Sequence, residues 1–308
     1  MRYSFPETGI KATDDLGRQL EKIIRTWNRG AYKTRYRYAP ACSRFVKWVA
    51  PTFKLQKLQN LADKHVVAYG KYLKEKGCAP KYIKNEISAL QYLHSYLPHA
   101  RNQLSDSKKI NTEIGLASNP NNKAENLDQS WMREELSRFC DHARDHGHPE
   151  YAQMAEITYH IGTRIEEIST LRRYEVENAL RTDKIHLTNT KGARPRDVPL
   201  SDEARRLFTE AIQEVPRGGY VFVPEGVKIH SFIQSAKDYL YRHRDEFQDP
   251  SRKNDPTRTE LHFHGLRHTF AQNYYQELRN SGMDEREARK EVSEALGHSR
   301  GGITFTYF

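Results

Sequence analysis

Apolar side chains recur at the 3.6-residue spacing of one helix face in almost every segment of this chain, which leaves little room for an extended sheet. Leu16, Leu20, Ile23, Ile24 and Trp27 follow that spacing behind a Thr-Asp-Asp start. Tyr38, Phe45, Trp48 and Val49 mark a second helix, with Pro40 near its beginning and Pro51 closing it. A third covers Asp63 to Lys76 and ends at Gly77; a fourth lines up Ile83, Ile87, Leu90 and Leu97 before Pro98. Near the C-terminus, Leu266, Phe270, Tyr274 and Leu278 form another stripe, and a helix capped by Asp284 buries Ala288, Val292, Ala295 and Leu296 before Gly297. Alternation at period two is confined to KIHLTNTKGARPRDVPL, read as a hairpin, and YVFV at 220–223 is read as a short strand. The expected fold is mainly α with a small antiparallel β-sheet.

Charge divides the chain in two. Residues 1–126 carry 23 Lys+Arg against 10 Asp+Glu, and residues 127–308 carry 27 against 30, so a net of +13 is followed by a net of −3. The basic excess belongs wholly to the N-terminal part, which favours a polyanionic partner for that part. The stretch SDSKKINTEIGLASNPNNKAEN is poor in large apolar residues and has the composition of a linker. The expected organisation is an N-terminal tail over 1–11, a helical domain over 12–104, a linker over 105–126 and a second domain over 127–308. Three widely spaced cysteines exclude a disulfide framework and a cysteine zinc site. No apolar run reaches the ~20 residues that span a bilayer, and the N-terminus lacks the apolar core of a secretory signal. A cytoplasmic, nucleoid-associated location without membrane contact is the expectation.

In the basic part, Lys33, Arg35, Arg37, Arg44 and Lys47, then Lys81 and Lys84, are interleaved with Tyr32, Tyr36 and Tyr38. Any one of these lysines would ordinarily lie on a solvated face; together they read as a surface that meets phosphates. In the C-terminal part, His264 and Arg267 stand three apart at a helix start, close enough to grip one anion. His298 follows Gly297, and Tyr307 comes nine residues later. Two histidines, an arginine and a tyrosine suggest anion binding with a hydroxyl nucleophile.

HGLRH, LGHS and the terminal tyrosine together resemble the C-terminal signature of the tyrosine recombinases, the family of phage and conjugative-element integrases and Xer-like resolvases. GTRIEEI resembles that family's first arginine motif, with Arg164 as the arginine and Glu167 as its supporting acid. TKGARPRDVPL resembles the hairpin lysine motif, with Lys191 as the lysine. The basic helices resemble, more weakly, the SAM-like core-binding domain that precedes the catalytic domain. Each segment alone is common; all of them in order are not.

The resemblance implies a DNA strand-transferase that passes through a 3′-phosphotyrosyl intermediate without metal, ATP or other cofactor. Arg164 and Arg267 would neutralise the pentacovalent phosphate with fixed, forked donors. Tyr307 would attack, His264 would act as base or proton relay, His298 would donate to a phosphate oxygen, and Lys191 would protonate the leaving 5′-hydroxyl. Double-stranded DNA, a homotetramer on that DNA and an accessory directionality protein are the implied partners. Integration or excision of a mobile element leads, ahead of dimer resolution or a DNA-binding protein of this fold without strand transfer. Family members usually continue into a short helix beyond the tyrosine. The end of the chain one residue after Tyr307 therefore reads as a truncation, with weakened tetramer assembly expected.

Overall fold

The computed structural model describes residues 3–116, 127–188 and 195–297, and the chain divides into two compact units, Met1–Asn121 and Asn122–Phe308. The first is helical: α1 (Lys11–Arg25), α2 (Tyr32–Phe53), a 3-10 turn at Leu58–Asn60, α3 (Asp63–Glu75), α4 (Pro80–His94) and α5 (Ser107–Ile114). Leu16, Leu20 and Ile24 of α1 are fully buried, as are Phe45, Val46 and Val49 of α2 and Ile83, Ile87 and Leu90 of α4. Trp27 meets the edge of Tyr92 at 4.9 Å between ring centroids, closing one end of this core.

Three expectations for this unit need correction. Helix α2 begins at Tyr32, so Pro40 lies well inside it, and the helix continues past Pro51 to Phe53. The segment 105–116 is not a free linker. Asp106 caps α5 by accepting from the Lys109 amide at 2.8 Å, and Ile110 and Ile114 enter the core, 0% and 3% exposed. Two well-placed isoleucines outweigh the polar composition around them. Nor is the N-terminal segment wholly a tail, because Phe5 is buried and its amide donates to Glu21. The remaining linker positions, 117–126, lie outside the described residues.

The second unit contains α6 (Arg133–Asp145), α7 (Pro149–Ile161), the single turn α8 (Ile165–Ile168), α9 (Arg173–Thr182), strands β1 (Lys184–Leu187) and β2 (Arg196–Pro199), α10 (Asp202–Ala211), α11 (Ile229–Phe247), a 3-10 turn at Pro250–Asn254, α12 (Phe263–Asn280) and α13 (Glu285–Ala295). The strands pair antiparallel with Ile185 opposite Val198 and Leu187 opposite Arg196. YVFV does not form a ladder: Tyr220 makes one isolated bridge to Arg172, while Val221, Phe222 and Val223 are simply buried. Asp284 caps α13 by accepting from the Arg286 and Glu287 amides. Among the described residues no helix is long and apolar enough to cross a membrane.

The stretch 248–260, polar in sequence and expected as a loop, carries a buried anchor. Arg252 and Glu135 have fully buried side chains and meet through two hydrogen bonds, Nε–Oε1 at 2.9 Å and Nη2–Oε2 at 2.6 Å. Arg252 also donates to the carbonyls of Ser130 and Thr259, and Glu135 also accepts from the amides of Met132 and Asp249. Both charges are thus provided with partners, which is what makes their burial tolerable. Removing one partner strands the other. Arg252→Leu is expected to lower unfolding stability in urea by about 3–5 kcal/mol, whereas Arg206→Leu, whose side chain is 53% exposed, should leave it nearly unchanged.

Candidate active site

The site is assembled where helices end. Helix α7 stops at Gly162, whose φ of +61° is the left-handed conformation glycine adopts most easily. A side chain could not replace its hydrogen in any case, since a Cβ would lie 2.2 Å from the Phe270 ring. The turn brings Thr163 into the interior and leaves Arg164 as the N-cap of α8, where Glu167 accepts from the Arg164 amide at 2.8 Å.

Glu167 then reaches two guanidinium groups. Arg164 Nη1 donates to Oε1 at 2.6 Å, and Arg196 of β2 donates through Nη1 to Oε1 at 2.9 Å and through Nη2 to Oε2 at 2.6 Å. The carboxylate and Arg196 are buried, whereas the Arg164 side chain remains 20% exposed. Burial by itself would raise the Glu167 carboxyl, but the Arg196 hydrogen bonds and the two positive charges outweigh it and hold it at about 2. Arg196 is the site-lining residue the motif reading missed. The signal was present: Val198 faces inward on β2, so Arg196 two residues before it must face inward as well.

Arg267 and His264 sit one turn apart at the start of α12 but face different surroundings. Arg267 is wholly buried; its Nη1 donates to the Gly162 carbonyl at 2.6 Å and its Nη2 to the Leu296 carbonyl. It therefore ties the end of α7 to the end of α13, and does so from beneath the surface. His264 is exposed at that surface, with the His268 ring packed edge-on at 5.2 Å. Partial desolvation, followed by the positive charges of Arg267, His262 and Arg164, lowers its pKa to about 4, so the imidazole is neutral at pH 7. His262 caps α12 by accepting from the Gly265 amide at 3.1 Å. Past Leu296, Gly297 lies against Arg196, with room for no Cβ (2.9 Å to Arg196 Cδ). Gly162, Arg164, Glu167, Arg196, Arg267 and Gly297 thus form one continuous constellation. Lys191, His298 and Tyr307 lie outside the described residues.

Residues 130–308 match the phage integrase family. The chain belongs to that family. Among solved structures, a lambda integrase dimer bound to a COC′ core site has a TM-score of 0.64 at 14% identity, covering 96% of this chain and 94% of that one. The Tn1549 transposon integrase in complex with circular intermediate DNA gives 0.57 at 16% identity with the same two coverages. A lambda integrase tetramer bound to a Holliday junction gives 0.62 at 13% identity, over 94% of this chain and 75% of that one. At these identities the likeness is one of fold. No curated protein sequence matches the chain.

In the first unit, Lys33, Arg37, Lys47 and Lys81 are exposed, as are Tyr32 and Tyr36, whose rings stack at 6.2 Å. Arg35 and Lys84 are half-buried, and Arg35 donates to the Trp27 carbonyl at 2.9 Å. Arg44 is held by Glu86 at 2.5 Å, an acid that also accepts from Tyr69. Arg44 is itself exposed, so its ion pair with Glu86 and not burial sets it apart from Lys33, Arg37, Lys47 and Lys81.

The Glu167 carboxylate offers a pH test. Its fall from an ordinary 4.5 to about 2 makes the ionised form worth roughly 3 kcal/mol. Because the folded pKa is depressed, that contribution is complete above the unfolded value and disappears as pH falls through about 2. Glu167→Gln should therefore cost roughly 3 kcal/mol or more at pH 7, with the gap to the parent narrowing between pH 5 and pH 3 in chemical denaturation. A gap independent of pH would mean that the carboxyl has the same pKa in the native and unfolded states.

Proposed function

We propose that the chain is a site-specific recombinase that cleaves and rejoins DNA strands through a 3′-phosphotyrosyl intermediate, acting in integration or excision of a mobile element. The observation that carries the reading is the meeting of Arg196 and Arg267 at the turn that precedes His298, with Arg164 joined to Arg196 through Glu167. A phosphodiester resists attack because it is anionic, and its transition state gathers further charge on the equatorial oxygens. Arg164, partly exposed and aimed by Glu167, supplies the forked contact to those oxygens. Arg267 supplies positive potential from just below them, where burial weakens screening.

Tyr307 is the nucleophile in this proposal. A neutral phenol, with its usual pKa of about 10, attacks poorly, and a neutral imidazole nearby is the group that can take its proton. His264 has that protonation state at pH 7. His298 donates to a phosphate oxygen, and Lys191 gives a proton to the departing 5′-oxygen. The bond energy is kept as phosphotyrosine, so the resealing step needs no nucleotide. The exposed basic and tyrosine residues of the first unit hold the duplex by its phosphates. A homotetramer on DNA, as in the lambda integrase complex with a Holliday junction, is the assembly this chemistry calls for.

The test is a nicked attachment-site substrate that traps the covalent intermediate. The parent is expected to give a denaturation-resistant protein–DNA adduct, and Tyr307→Phe none. Arg164→Lys keeps the charge but not the fork, and should slow adduct formation by about 10²–10³ with DNA affinity little changed. Salt-sensitive DNA binding with no adduct from the parent would establish a binding protein of this fold in place of a strand-transferase.

A further inference from the structure

The C-terminal end of α6 and the last two turns of α11 bring together His142, His243 and Glu246, and this grouping has no part in the proposed strand transfer. One potential ligand atom from each residue lies within 4.8 Å of the other two. The two carboxylate oxygens of Glu246 are each met by one imidazole: Oε2 by His142 Nε2 at 2.7 Å and Oε1 by His243 Nδ1 at 2.8 Å. The grouping is reachable from solvent, because His243 and Glu246 are 34% and 53% exposed while His142 is 11% exposed and held in place by packing.

His142 turns Nδ1 towards a tyrosine hydroxyl and leaves Nε2 on the Glu246 side. Tyr239 Oη lies 2.6 Å from His142 Nδ1 and donates its own proton to the His142 carbonyl at 3.2 Å. Where Nδ1 carries the proton and gives it to the hydroxyl oxygen, the Nε2 lone pair faces the Glu246 carboxylate, and a metal ion can stand between the two. A ring nitrogen aimed by a hydrogen bond on its opposite nitrogen is the support that metal-binding histidines ordinarily have. The neighbouring His146 ring stacks on His142 at 4.0 Å with its Nδ1 on the His142 carbonyl, which stiffens the ligand from its other face.

We infer that His142, His243 and Glu246 form a binding site for a divalent transition metal, with zinc or cobalt best suited to two imidazoles and a carboxylate. Three protein ligands leave a coordination position for water. Metal–ligand bonds of about 2.1 Å in a tetrahedral site set ligand atoms about 3.4 Å apart. The present contacts therefore open slightly on binding, which the exposed His243 and Glu246 side chains can do. The metal replaces the shared protons and clamps α6 to α11. Widely spaced cysteines excluded a thiolate zinc site from the sequence; this donor set is of another kind, gathered from helices about a hundred residues apart.

The 308-residue chain without DNA is titrated with cobalt chloride, then with zinc chloride as competitor, while visible absorption and thermal unfolding are followed. One equivalent of cobalt is expected to give a ligand-field band that zinc abolishes. Zinc at about a hundred times its dissociation constant should raise the unfolding midpoint by about 5 °C or more. His243→Asn, which changes an accessible ring and leaves the core intact, should weaken binding at least about tenfold, and adding Glu246→Gln should remove the band. No band with the parent, or binding unchanged in the double variant, overturns the site. Neither result bears on strand transfer, which is read separately as the DNA adduct.

Discussion

One carboxylate holds two arginines that the chain keeps far apart in sequence. Glu167 caps its own helical turn, grips Arg164 three residues back, and clasps Arg196 of the hairpin through both oxygens. Arginine side chains carry about 2 kcal/mol of rotamer entropy, and a guanidinium that must meet a transition state is useful only if that freedom has already been given up. Glu167 removes it from Arg164 by contact. It also moors β2 to α8, and so anchors the two-stranded hairpin at its base. The carboxylate can do both because it stays ionised in a buried position, and it stays ionised because two guanidinium groups outweigh the loss of water. The arrangement is mutual: remove either arginine and the acid is left under-compensated.

The same economy shapes Arg267. A buried guanidinium needs acceptors, and the carbonyls left unpaired at helix C-termini are acceptors in need of donors. Its Nη1 and Nη2 donate to the turn closing α7 and to the end of α13. Three helix ends are thereby brought to one point, and Gly162 and Gly297 are the residues that let backbone come so close. His262, His264 and His268 crowd the start of α12, where the helix dipole disfavours a further positive charge. Desolvation first, then the neighbouring imidazoles, depress His268 to about 3. His264 and His268 at this helix start are therefore neutral at pH 7.

Helix-period stripes such as Leu266–Phe270–Tyr274 and Leu16–Leu20–Ile24 were legible because a buried face imposes its own spacing on the sequence. So was the hairpin, since β1 and β2 each bury alternate residues. Short elements whose fate rests on distant partners were not. YVFV has strand composition, yet with only one bridge partner at Arg172 it packs as buried irregular chain. SDSKKINTEI has linker composition, yet Ile110 and Ile114 sufficed to fold it onto α3 and α4. Within the site, Arg164, Glu167, His264 and Arg267 could be named from motifs. That Arg267 faces inward could not, because local spacing gives a helix face but not the carbonyls waiting beneath it. Arg252 was missed for the same reason: a polar stretch looks solvated until Glu135, 117 residues away, is seen to lie opposite.

The pairing of α6 with α11 has two levels that differ in kind. Glu135 at the start of α6 is locked to Arg252 just past α11 by buried bonds that cannot open without stranding a charge. His142, seven residues along α6 and so about 10 Å higher on nearly the same face, meets Glu246 through contacts open to solvent. The lower tie is a condition of folding, because neither ion tolerates burial alone. The upper tie is optional, because water can take over its partners. Only the upper tie can therefore respond to what is dissolved around the protein, and a ligand bound there stiffens helices whose lower ends the buried pair has already fixed. Since α11 runs on through the Arg252 turn to His262 and the start of α12, the buried Glu135–Arg252 pair also fixes the approach to the helix that carries His264 and Arg267.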